Sequence, residues 1–108
     1  MRRAKVIYRP EALSDLRQIY IDIADMSRSH VIANGFVKRI MARCRKIGDA
    51  PNGGRPRVDL APGLRTVPFE HSAVIAYHVT DAVEIINVFY GGGDYEALFR
   101  AGDDEDEP

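Results

Sequence analysis

An α+β fold, with a helical hairpin packed on a small and mainly antiparallel sheet, is predicted by three features of the sequence. Two consecutive stretches, 12–23 and 33–47, repeat apolar residues at helical spacing. Three later runs, 64–69, 73–79 and 83–90, are apolar and rich in β-branched and aromatic residues, with turn residues between them. A short apolar run, Val6-Ile7-Tyr8, precedes the first helix. The order is therefore β-α-α-β-β-β, a helix pair set on one sheet. A chain of 108 residues has material for one core, so residues 1–100 form a single domain and 101–108 an acidic tail that composition reads as disordered.

Lys5-Val6-Ile7-Tyr8 reads as a strand, and Arg9-Pro10-Glu11 turns it into a helix with proline in the first turn, where its missing N–H costs nothing. Ala12, Leu16, Ile19 and Ile23, flanked by Leu13 and Tyr20, form one face; Asp15, Arg17, Gln18 and Asp22 fall mostly opposite. Met26-Ser27-Arg28-Ser29 interrupts the pattern, and either serine can cap the next helix. That helix places Ala33, Phe36, Val37, Ile40, Cys44 and Ile47 on a stripe, and Gly48 reads as its C-terminal glycine. Pro51, Gly53, Gly54, Pro56 and Pro62 then make 48–63 mostly irregular, with a short extended piece expected at 57–60. A loop this long in so small a domain usually carries function.

In the strands, Ala73, Ile75, Tyr77 and Val79 are expected on one face, with Val74, Ala76 and His78 on the other. Val83, Ile85, Asn87 and Phe89 likewise oppose Glu84, Ile86, Val88 and Tyr90. Both faces are largely apolar, so the helices cover one and something else covers the other; a large bare patch there marks an interface. Pro68 suits a position near an edge, Glu70-His71-Ser72 and Thr80-Asp81-Ala82 read as turns, and 94–99 as one helical turn.

Cys44 is the only cysteine, which excludes an internal disulfide and a cysteine-rich metal centre and suits a reducing compartment. His30 and His71 lack partners at metal-ligand spacing, so neither metal nor cofactor is expected. No apolar run is long enough for a membrane span, and Met1-Arg2-Arg3-Ala4-Lys5 does not lead into a signal-like stretch, so the reading is cytoplasmic. Five of the sixteen acidic residues lie at 103–107; the first 102 residues hold all 15 lysines and arginines against 11 acids. The excess is sharpest from Lys38 to Arg65, which suits an anionic partner. Arg39, Arg43 and Lys46 make a stripe beside the apolar face of the second helix, most simply a solvated one. Gly91-Gly92-Gly93 lacks the lysine of a phosphate-binding loop and reads as a permissive turn or bulge.

Four motifs stand in order: Tyr8-x-Pro10-Glu11-Ala12-x-x-Asp15-Leu16-x-x-Ile19-Tyr20, Phe36-Val37-x-x-Ile40, Ala50-Pro51-x-x-Gly54-Arg55-x-Arg57-x-Asp59-Leu60-x-Pro62-Gly63-Leu64-Arg65, and Val88-x-Tyr90-Gly91-x-x-Asp94. Together they resemble the ParE branch of the RelE/ParE toxin superfamily. The resemblance implies a RelE/ParE-like fold and a toxin of a type II toxin-antitoxin module that inhibits DNA gyrase, blocks growth and stabilises plasmids. A ParD-type antitoxin, a ribbon-helix-helix protein, would neutralise it in a hetero-oligomer, and DNA would be met only through antitoxin or gyrase. It implies that Arg55, Arg57, Arg65, Leu13, Leu16 and Tyr20 face the target or the antitoxin, and that an antitoxin helix or added strand buries the bare sheet face.

The family commonly ends its last strand in His-Gly-x-Arg-Asp, where this chain reads Tyr90-Gly91-Gly92-Gly93-Asp94. RelE-type ribonucleases need groups that activate a ribose hydroxyl and stabilise the charged transition state, and Gly93 removes one cation suited to the second task. Arg65, His78 and Tyr90, with Arg57 and Glu84, are the candidates for the alternative that the chain cleaves mRNA. A third alternative is a degenerate member that keeps only antitoxin binding. The plain readings are solvated loop arginines, with Arg65 paired to Asp59 or Asp94, and a structural histidine at 78.

Overall fold

The computed structural model describes residues 3–91. The expected helical turn at 94–99, Gly93, Asp94 and the acidic tail lie outside them. β1 (Val6–Tyr8) leads into α1 (Pro10–Ser27) and α2 (His30–Asp49). A one-turn 3₁₀ helix (Pro51–Gly53) follows, then β2 (Arg55–Pro56), β3 (Leu64–Phe69), β4 (Ala73–Val79) and β5 (Val83–Tyr90). The five strands form one sheet in the order β1-β5-β4-β3-β2; β1 runs parallel to β5 and every other pairing is antiparallel.

The helices turn as their sequence directs. Ser29 is the α2 cap, its Oγ accepting from the Ile32 N–H at 3.2 Å, while the Ser27 hydroxyl donates back to the Ile23 carbonyl. Arg28 between them takes a left-handed conformation at φ 57°, which lets the chain reverse within two residues. Ala12, Leu16, Ile19 and Ile23 of α1 and Ala33, Phe36, Ile40, Cys44 and Ile47 of α2 lie in one core with Val67, Phe69, Ala73, Ile75, Tyr77, Val83, Ile85 and Val88 of the sheet.

Three expectations are corrected. Gly48 does not end α2 but lies within it, buried, where the Ala4 N–H donates to its carbonyl at 2.9 Å. A Cβ there would stand 2.7 Å from the Ala4 oxygen, so the glycine serves close approach of β1's leader, not a cap. The extended piece falls at Arg55–Pro56, paired with Thr66 and Arg65, and 57–61 is turned, because the Leu60 and Ala61 N–H groups both donate back to the Arg57 carbonyl. The strict alternation of β5 breaks at Ile86: Ala76 pairs with Asn87 and Tyr77 with Ile85, leaving Ile86 unopposed. This bulge puts Val83, Ile85, Val88 and Tyr90 on the helix side and Ile86 and Phe89 on the other.

Candidate functional site

β1 is three residues long and reaches only Val83–Ile85, so among the described residues no strand pairs the outer edge of β5 beyond that point. Asp15 fills the gap: its Oδ2 accepts from the Val88 N–H at 2.9 Å and from the Asn87 amide at 3.0 Å. A carboxylate assigned from periodicity to the solvent side of α1 thus ties that helix to the strand just past the bulge. A groove of about 170 Å³ runs beside it, between α1 and the end of β5.

The loop after α2 is held from inside the fold. Tyr77 is fully buried; its hydroxyl donates to the Pro51 carbonyl at 2.7 Å and accepts from the Gly54 N–H at 2.9 Å. Its β3 neighbour Arg65 donates from Nη1 to the Asn52 and Gly54 carbonyls at 3.0 and 2.8 Å. The two side chains therefore grip the backbone of Pro51, Asn52 and Gly54. Arg57 is buried and forms a two-pronged pair with Asp59, at 3.0 and 2.8 Å, and this guanidinium holds the Asp59 carboxyl below the usual carboxylate range. Arg65 was expected to pair with Asp59 or Asp94; Asp94 lies outside the described residues, Asp59 is taken by Arg57, and Arg65 is engaged by the loop carbonyls.

The loop then lays Leu60 and Ala61 over the second sheet face, against Leu64, Ala76, Ile86 and Phe89. This corrects the expected bare patch: the chain covers much of that face itself. Of the exposed large apolar side chains, Leu13, Ile21, Met26, Val31 and Ile32 lie on the helical hairpin, between 44 and 83% exposed, and Ile7, Val58 and Val79 lie elsewhere. Tyr20 is half-buried on the same hairpin, its ring stacked on His30 and its hydroxyl 2.9 Å from His30 Nδ1. Leu16, expected with Leu13 and Tyr20 on a partner-facing surface, is 5% exposed and belongs to the core, because the face that carries Ala12, Ile19 and Ile23 also carries it. Arg55 is exposed on β2, whereas Arg57 is turned inward.

Arg65, His78 and Tyr90 are not brought together. Arg65 pairs across from Tyr77 on the helix side, and Tyr90 pairs across from Ala73 on that side, four residues and about 13 Å further along β4. His78 faces the other side, opposite Leu64 and Glu84, with its Nδ1 buried and unbonded among the described residues. Glu84 accepts from Arg9 at 3.2 Å, and Tyr90 packs edge-on against Phe36 with centroids 5.4 Å apart. No group of three or more His, Cys, Asp or Glu able to hold a metal occurs among the described residues, and no described helix is long and apolar enough to cross a membrane.

Among the described residues, two helices and a five-stranded mixed sheet, in the order strand, helix, helix, then strands, make an α+β fold shared with a known class of small toxins. The structure matches "Chromosomal ParDE TA system from P. aeruginosa" with a TM-score of 0.71 and 20% identity, over 81% of this chain and 95% of that one. The family model for the ParE toxin of type II toxin-antitoxin systems, parDE, matches residues 6–95, and the chain belongs to that family. A search of curated proteins gives no match.

Proposed function

We propose that this chain is a toxin that inhibits DNA gyrase by occupation, not by cutting RNA, and that a ParD-type ribbon-helix-helix antitoxin neutralises it by covering the helical hairpin. The observation that supports the antitoxin surface is that five of the eight exposed large apolar side chains among the described residues, Leu13, Ile21, Met26, Val31 and Ile32, lie on that hairpin. An amphipathic helix laid against it buries those residues. Gyrase as the target rests on membership of the ParE family and on the family pattern of the Pro62-Gly63-Leu64-Arg65 piece. The separation of Arg65, His78 and Tyr90, and glycine where the family commonly carries a strand-end arginine, supports a non-hydrolytic action in the cytoplasm. Plasmid stabilisation and growth arrest are the expected biological readouts.

Two measurements test this. Purified chain should inhibit gyrase supercoiling and leave mRNA intact; unchanged supercoiling at excess toxin, or site-specific cleavage by primer extension that vanishes in Arg65→Ala, would overturn the target. Leu13→Asp with Ile32→Asp should abolish capture by the antitoxin while the fold is kept, and retained capture would overturn the surface.

A further inference from the structure

Arg39, Arg43 and Lys46 line one side of a groove of about 240 Å³, floored by Ala42 and closed on the other side by Phe69 and Glu70. Glu70 holds Arg39 through two hydrogen bonds of 2.8 and 3.0 Å. Arg43 and Lys46 form no ion pair among the described residues, so the groove keeps two uncompensated cations within one turn of helix.

The last strand delivers the chain to this place. The Arg39 guanidinium lies 5.4 Å from the centre of the Phe36 ring, against which Phe69 and Tyr90 both pack edge-on. One residue past Tyr90, the Gly91 N–H donates to the Ser72 carbonyl at 3.1 Å, in the turn that carries Glu70. The chain therefore leaves β5 beside the basic groove. Residues 92–102 span up to about 36 Å if extended, several times the roughly 10 Å that separate Arg39 from Lys46 along α2. Then come Asp103-Asp104-Glu105-Asp106-Glu107, five carboxylates in succession that repel one another and have no cation among them.

We propose that this acidic segment docks on the Arg43–Lys46 groove of its own chain and shields the basic stripe of α2 from other anions. The tether makes the contact intramolecular, so it competes at an effective concentration in the millimolar range. Glu70 opposes it at one end, which directs the carboxylates to Arg43 and Lys46. The contact is electrostatic and exposed, and salt weakens it.

The test uses the full chain and a variant with Asp103→Asn, Asp104→Asn, Glu105→Gln, Asp106→Asn and Glu107→Gln. At low salt, amide resonances of 39–46 and 69–70 should differ between the two and converge at about 0.5 M salt, where the screening length falls to a few ångströms. Arg43→Glu with Lys46→Glu should remove the difference. Carbodiimide should join tail carboxylates to Lys46 in preference to Lys5 and Lys38, within one chain when labelled and unlabelled protein are mixed. Identical resonances, differences confined elsewhere, preferred joining to Lys5 or Lys38, or joining between chains would each overturn the proposal.

Discussion

Replacing Tyr77 by phenylalanine removes one oxygen and leaves the ring that fills the core beneath the loop. That oxygen serves two partners, the Pro51 carbonyl and the buried Gly54 N–H, at 2.7 and 2.9 Å. Losing the bond to Pro51 costs about 0.5–1.5 kcal/mol net, and leaving the buried Gly54 donor unpaired costs about 1–3 kcal/mol, so a loss of about 2–4 kcal/mol is expected. At about 4 °C per kcal/mol for a domain of this size, Tm falls by about 8–16 °C. Urea unfolding gives the free energy. Amide exchange gives the location: the Gly54 N–H should exchange at least about 30-fold faster than in the parent, the equivalent of about 2 kcal/mol. Gly54→Ala attacks the same contact from the other side, since its Cβ would stand 2.7 and 2.8 Å from Cε1 and Cζ of Tyr77. The two substitutions should be markedly non-additive. A loss below about 0.5 kcal/mol in Tyr77→Phe, with Gly54 exchange unchanged, would refute the clamp.

Asp15→Ala should cost about 1–3 kcal/mol by unfolding, because the Val88 N–H loses its acceptor, and Asp15→Asn should recover part of it. Cys44 is fully buried, and burial pushes its thiol up to about 11, so it should resist thiol reagents at neutral pH until the domain unfolds. Since the folded value lies above the unfolded one, the folded state holds the proton longer, and stability should decline as pH rises from about 9 to 11. The Tyr8 hydroxyl beside it, also raised first by burial, acts in the same direction at still higher pH. The Arg39 guanidinium holds the Glu70 carboxyl below its usual range, so this pair's stabilisation is present above the ordinary glutamate value and lost as pH falls through the depressed one. Arg39→Met should raise the Glu70 titration, followed by carboxyl carbon resonances, back into the ordinary glutamate range.

The helices were legible in the sequence because burial there follows a single period: the four α1 residues read as inward are the four that are buried. The strands were legible in extent, and β4 in phase as well, but β5 only as far as its bulge. Ile86 looks like any other strand residue, and the slip it introduces depends on how β4 and β5 twist together, which one strand's alternation does not record. Gly48 carried the mark of a helix end, yet the constraint on it comes from Ala4, forty-four residues earlier. The roles of Asp15, Arg65 and Tyr77 were hidden for the same reason: each satisfies backbone groups far away in sequence. Two signals did exist. Asp15 stands in a motif with the core residues Ala12, Leu16 and Ile19, and a tyrosine in the middle of a central strand needs a partner for its hydroxyl.

The parallel pairing of β1 with β5 joins Val6 to Val83, so the first strand made has no partner until the last is nearly complete. Synthesis proceeds from the N-terminus, and helical hairpins form faster than contacts across so long a loop. On the ribosome, α1 and α2 therefore emerge with their inner apolar faces uncovered while the sheet that will bury them is still being made. For that interval the nascent chain offers two sticky sides of the hairpin where the finished protein offers one. Translation time itself thus sets how long those inner faces stay open before the chain's own last strand covers them.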